Sequence, residues 1–217
     1  MKIRSLGELV DYLGRDLGWR RRELTTIRLR ISRDRSHQRI ASLRSGVCLL
    51  YAHWEGFVRK AGQAYIRFVN SRGLRMADLS EGLLTLALRG RISRCEQSKK
   101  ISVRMELVSF LLSDMSEDAR LPLSNAIATR ANLNTQQFRE ILDMLGLDPA
   151  EYLKKTGLID GRLIRWRNGI AHGDRIDVEE QDYVALHDGV IMLLDRFRTD
   201  LENAAVTGAF RRRLLRR

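Results

Sequence analysis

The stretch VCLLYAHWEGFVRKAGQAYIRF, residues 47–68, decides how the chain folds. Within it Val47, Leu50, Trp54, Phe57, Ala61, Tyr65 and Phe68 step by 3, 4, 3, 4, 4 and 3, which places these groups on one helical face. The spacing predicts a central core helix over residues 38–70, with Trp54 as a core residue. A neighbouring stripe, Cys48, Tyr51, Glu55, Val58 and Gly62, sets one carboxylate at the border of the apolar face, where an acid needs a partner.

Upstream, residues 5–35 carry Val10, Leu13, Leu17, Leu24, Ile27 and Ile31 at the same spacing and predict one long helix, weakened locally by Gly14 and Gly18. Arg20, Arg21, Arg22, Arg28, Arg30, Arg33 and Arg35 fall on its other faces, and this cationic side is the first candidate for contact with RNA or DNA. Downstream, residues 70–73 mark a break, Ser80–Arg89 reads as a short helix, and residues 99–115 regain periodicity through Ile101, Met105, Val108, Leu111 and Met115. After a connection over 116–124, Asn134 with Gln137 resembles a capping box ahead of Phe138, Ile141, Leu142 and Leu145, and Gly146 is the stop. Asp148-Pro149 opens another short helix. Leu158–His172 reads as a helix with Ile159, Leu163, Trp166 and Ile170 inward, closed by Gly173-Asp174. Asp177 then caps a final helix, with Glu180 in the capping-box position and Val184, His187, Ile191, Leu194 and Leu201 as its stripe. No sustained period-2 alternation or internal repeat interrupts this pattern. The expectation is an all-α bundle forming one domain over residues 1–210, with a basic tail over 211–217 that holds Arg211, Arg212, Arg213, Arg216 and Arg217.

The 217 residues suffice for a core without disulfide or metal staples. A content of 44% hydrophobic and 30% charged residues with 2 prolines excludes wholesale disorder and argues against a loop-rich β-sandwich. No apolar run approaches the ~20 residues that span a bilayer, and the N-terminal stretch lacks a secretory apolar segment, so a cytoplasmic protein without membrane association is expected. Cys48 and Cys95 form no CxxC, and His37, His53 and His187 have no ligand-spaced partner; no metal or cofactor is expected. The net charge of +12 is uneven: residues 1–75 hold 17 Lys and Arg against 6 Asp and Glu, residues 76–200 hold 17 against 20, and residues 201–217 hold 5 against 1. Such asymmetry is the footprint of a polyanion binder, because basic clusters recruit phosphates and release counterions.

No P-loop, dinucleotide-binding, nucleophile-elbow or zincin motif occurs. The segment with chemistry in it is Ile164-Arg165-Trp166-Arg167-Asn168-Gly169-Ile170-Ala171-His172-Gly173-Asp174. In an ideal helix the step from Arg167 to His172 rotates by about 140°, so the two share no face unless the chain bends near Gly169, whereas Asn168 and His172 do share one. By residue type alone, His172 also suits a helix C-terminus, whose dipole favours a cationic imidazole, and Arg167 suits an ion pair.

The run Arg167-Asn168-x-x-Ala171-His172-Gly173, near the start of the last long helix, resembles the RxxxxH signature of the HEPN superfamily. A second segment agrees: residues 49–58, LLYAHWEGFV, are similar to the second-helix motif of the HEPN branch found in bacterial toxin–antitoxin and antiviral-defence loci, the MAE-type or RiboL-PSP-like group. The resemblance implies an all-α HEPN-like bundle with extra helices inserted between the second core helix and the motif helix. It implies a homodimer whose paired motifs line one cleft and cut RNA without metal, and a possible cognate antitoxin. Carried over to this chain, Arg167 and His172 are catalytic, Asn168 is a supporting polar residue, and Glu55 is an acid facing the same cleft or a structural partner of an arginine. Asp174 stands where the two-component toxins often have a modifiable tyrosine, which sets this chain apart from them.

The chemistry agrees with the residue types. RNA carries its own nucleophile, the 2′-hydroxyl, so a cleaving protein moves protons and stabilises a phosphorane. Histidine, with an ordinary pKa of about 6.5, exchanges protons near neutrality; arginine stays charged and grips two phosphate oxygens. The competing expectations are a catalytically silent HEPN module that binds RNA or a partner protein, and a helical DNA-binding regulator built on residues 132–146.

Overall fold

The computed structural model describes residues 2–124, 126, 127 and 132–212. Helix α1 spans Leu6–Arg33, α2 Ser36–Asn70, α3 Glu81–Gln97, α4 Ile101–Ser113, α5 Thr135–Leu145, α6 Ala150–Leu153, α7 Thr156–Leu158, α8 Arg165–Ala171 and α9 Glu180–Thr207. A 3-10 turn at Met76–Asp78 precedes α3, and a π-helical segment, Ile159–Ile164, joins α7 to α8. Among the described residues, β structure is confined to two isolated bridges, Arg75 with Asp118 and Leu79 with Arg211. The architecture is the all-α bundle expected, with α3 to α7 lying between α2 and α8, the helix that carries Arg167.

Helices α1, α2 and α9 form the frame. Ser5 starts α1 through a capping box, its hydroxyl accepting from Glu8 N (3.2 Å) while the Glu8 carboxylate accepts from Ser5 N (3.0 Å). The register of antiparallel α1 and α9 is set by ion pairs one heptad apart: Arg28 with Asp188, and Arg21 with Asp195. One heptad further, Gly14 leaves room for the Arg198 guanidinium, 3.6 Å from the position of a Cβ, and Arg198 pairs with Glu202 on its own helix. The core faces read from the sequence close over this frame. Trp54 packs edge-on against Phe138 at 4.7 Å, and Phe138 meets Tyr152 at 5.1 Å and Phe197 at 5.5 Å, which joins α2 to α5, α6 and α9.

Three expectations are corrected. The cationic side of α1 is partly consumed inside the fold, because Arg21 and Arg28 point at the carboxylates of α9. Arg20 is not on the solvent side at all: it is 3% exposed, its Nε donates to Asp16 Oδ2 at 2.8 Å, and its Nη1 lies 3.3 Å from His53 Nδ1. Asp16, one turn earlier, supplies the counter-charge, and the absence of a side chain on Gly56 supplies the space, since a Cβ there would sit 2.9 Å from Arg20 Nη1. The residues 99–115 stripe stays out of the core; Ile101, Met105, Val108 and Leu111 are exposed, and only Phe110 of α4 is buried. The final helix begins at Glu180, after Glu179, rather than at Asp177, because residues 173–176 are folded back over α8.

The chain end returns to the start of α3: Ser80 N donates to Phe210 O and Arg212 N to Asp78 O, both at 2.8 Å. Arg213, Arg216 and Arg217 lie outside the described residues. Among the described residues, no helix is long and apolar enough to cross a membrane.

Two outcomes follow from the Asp16, Arg20 and His53 cluster. Asp16→Ala strands a guanidinium that is 4% exposed, and urea denaturation should show a loss of about 3–5 kcal/mol. Burial outweighs the Glu23 carboxylate, 2.6 Å from Nε2, and pulls His53 below its ordinary 6.5. The folded chain therefore holds His53 neutral while the unfolded chain takes up a proton, so stability present above about pH 6.5 is lost as the pH falls. Between about pH 7.5 and about pH 5.5, Tm should drop further in wild type than in His53→Gln.

Candidate active site

The site is assembled on the α2 stripe that carries Arg44, Cys48, Tyr51 and Glu55. Residues 132–135 lie across it. Leu133 N donates to the Tyr51 hydroxyl at 2.9 Å, and Leu133 O accepts from Trp54 Nε1 at 3.3 Å. Thr135 N then donates to Asp160 Oδ1 at 2.9 Å, tying the same strand of chain to the π-helical segment, while Asn134 caps α5 through Gln137 N at 2.8 Å. The single helix expected over 158–172 is thus three windings in series. The π segment buries Ile159, Leu163 and Ile164 and delivers α8 against α2; such segments cluster at functional sites.

From α8 the Arg167 guanidinium stacks over the Tyr51 ring, 3.8 Å from its centroid, and Nη2 donates to Asn132 Oδ1. Its Nε–H is buried and has no acceptor among the described residues. Glu55 follows Tyr51 by one turn on the same stripe, close enough for its carboxylate to act on the phenol. Burial first, and then the neighbouring Glu55 carboxylate, push the Tyr51 phenol up, so it keeps its proton. Burial likewise pushes the Cys48 thiol up, against the pull of Arg167 and Arg44, and Cys48 stays a thiol.

His172 is placed by the end of α8. Its backbone N donates to Asn168 O at 2.9 Å, and Gly173 follows at φ 88°, a conformation that favours glycine, so the chain reverses there. Asp174 N then donates to Gly169 O at 2.8 Å, and Ile176 covers Gly169 so closely that a Cβ at 169 would come within 2.8 Å of Ile176 Cδ1. Arg44 fastens this turn from α2, donating to Asp174 O at 2.9 Å. The His172 side chain is exposed and has no hydrogen-bond partner among the described residues; Asn168 is half-buried. Because α8 stays α-helical through Ala171, the offset of about 140° between Arg167 and His172 persists within one chain.

Of the four residues singled out from sequence, then, Arg167 and Glu55 meet through Tyr51, while Asn168 and His172 occupy the following turn. The MAE_28990-like HEPN family matches residues 9–208. The chain belongs to that family. No curated protein and no solved structure matches it. The HEPN match runs from within α1 to Gly208, whose φ of 70° ends α9, and so contains both motif segments and every element of the site.

Sequence reasoning missed three residues of the site. Tyr51 was within reach, since it precedes Glu55 by one turn on the same stripe. Arg44 lies two turns further back on that stripe, but its acceptors are backbone carbonyls, which carry no sequence signal. Asn132 sits in irregular chain and had none. Tyr51→Phe should keep the stack with Arg167 but leave the Leu133 N–H without its acceptor. Urea unfolding should show a loss of about 1–3 kcal/mol.

Proposed function

We propose that this HEPN domain is a metal-independent endoribonuclease of the toxin or antiviral-defence kind, in which Arg167 and His172 from two copies of the chain flank one RNA phosphodiester. The observation that carries the reading is the contrast between the two motif side chains. Arg167 is held on Tyr51 and Asn132 at a fixed place, and His172, five residues on, is presented to solvent on a turn pinned by Arg44. One copy leaves the imidazole and the guanidinium on different sides of α8, so duplication by a two-fold axis is the simplest way to bring both kinds of group to one phosphate.

In this reading one His172 takes the proton of the 2′-hydroxyl as its oxygen attacks phosphorus, and the second gives a proton to the departing 5′-oxygen. The products carry a 2′,3′-cyclic phosphate and a 5′-hydroxyl. Arg167 stabilises the added negative charge on the phosphorane. Asn168 supports the turn that holds His172, and Glu55 orients Tyr51 beneath Arg167. The exposed Arg22, Arg30 and Arg33 of α1, with Arg35 just beyond its end, form a basic surface for RNA, or for an acidic antitoxin acting in the cytoplasm.

A second reading, a catalytically silent module that binds RNA or a partner protein, is favoured by the fact that Tyr51 and Asn132 already engage the Arg167 guanidinium. Incubation of the purified chain with RNA in EDTA separates the two. The endoribonuclease leaves 2′,3′-cyclic phosphate ends on RNA and no cut on DNA, and Arg167→Ala and His172→Ala each lower the rate by about 10²–10⁴-fold. Salt-sensitive binding without product at any protein concentration would establish the silent module instead.

A further inference from the structure

Helix α4 is apolar on two opposite sides. At about 100° per residue, Val103, Leu107 and Phe110 fall together and face α3. Phe110 is buried beneath the Arg91 guanidinium, 4.0 Å from its ring centroid, and Val103 O accepts from Cys95 Sγ at 3.5 Å. Ile101, Met105, Val108 and Leu112 fall on the far side, within about 60° of one another, and are 69%, 59%, 54% and 81% exposed. They step by 4, 3 and 4, the spacing of a helix-pairing seam. A helix apolar all round is at home only when covered all round, and α3 covers one side.

The charges of α4 are also arranged against its own dipole. Lys99 and Lys100 precede it and Arg104 lies in its first turn, while Asp114, Glu117 and Asp118 follow its C-terminus; its first turn has no acid and its last no base. A helix macrodipole favours the reverse order. None of these six side chains forms an ion pair among the described residues.

One occupant answers both features. Laid antiparallel against the same helix of a second copy, Ile101 meets Leu112 and Met105 meets Val108 across a two-fold axis, and the basic end of each helix comes level with the acidic end of the other. We infer that α4 is a self-association surface, α4 against α4, in which the seam is apolar and the ends are matched by charge. Arg167 and His172 lie on and after α8, which packs on α2, so this contact is independent of the pairing proposed for catalysis. With both contacts present, the assembly is larger than a dimer.

Sedimentation equilibrium on the full chain at tens of micromolar tests this. Wild type is a dimer or larger, Met105→Glu with Val108→Glu halves its molar mass, and circular dichroism shows the helices kept. Lys99→Glu weakens association several-fold, and adding Asp114→Lys restores it. Arg167→Ala leaves the effect of the α4 substitutions unchanged, so loss of RNA cleavage and loss of this contact are read separately. A monomeric wild type, or an unchanged mass in the Met105 and Val108 variant, overturns the inference; a charge swap that fails to restore association overturns the antiparallel register.

Discussion

The Tyr51 ring is where three parts of the chain, distant in sequence, are held to one another. Its face takes the Arg167 guanidinium from α8, and its hydroxyl accepts from the Leu133 backbone, with the Glu55 carboxylate one turn along the same helix. A cation on an aromatic face contributes roughly 0.5–2 kcal/mol, more as water is excluded. The hydrogen bond from Leu133 N adds a geometric requirement that stacking alone lacks. Because residues 132–135 are fixed to α2 through this hydroxyl and to the π segment through Asp160, the position of α8 on α2 depends on it. So, in turn, does the place of His172.

Arginine does two different jobs in this molecule, and the total of +12 conceals the division. Arg20, Arg21 and Arg28 are structural: one is buried with Asp16, and two fix the register of α1 on α9. Removing a partner from the buried pair strands a desolvated charge, whereas the exposed pairs contribute less to stability and more to alignment. Arg167 belongs to neither group, since its planar cation is half-buried on a neutral ring with an amide beside it.

The sequence was legible where a single period governed it. The 3-and-4 spacing of α2 and the Asn134 cap and Gly146 stop of α5 needed only local information, and the long helices were found within a few residues of their ends. It was less legible where partners come from far along the chain. Arg20 falls on the apolar stripe between Leu17 and Leu24, four residues after Asp16, as Arg22 does not, but the room left by Gly56 and the ring of His53 that complete its burial lie on another helix. Periodicity likewise marked Ile101, Met105 and Val108 as apolar without saying whether this chain or another covers them. In the site, Arg167, Asn168 and His172 came from the motif and Glu55 from its stripe, but the π winding before α8 and the role of Asn132 depend on tertiary packing that no local pattern records. The late start of α9 has the same origin, since Asp177 is a good cap by type and is kept from capping by the turn over Gly169.

The central claim is that Arg167 and His172 act on one phosphodiester. The most direct measurement is the structure of the protein bound to a short RNA whose cleavable linkage is blocked by a 2′-deoxy sugar. The account predicts one phosphate within about 3 Å of an Arg167 guanidinium, with a His172 imidazole from either copy at the adjoining 2′ or 5′ position. An RNA lying elsewhere on the chain, or bound with every His172 far from its phosphates, would contradict it.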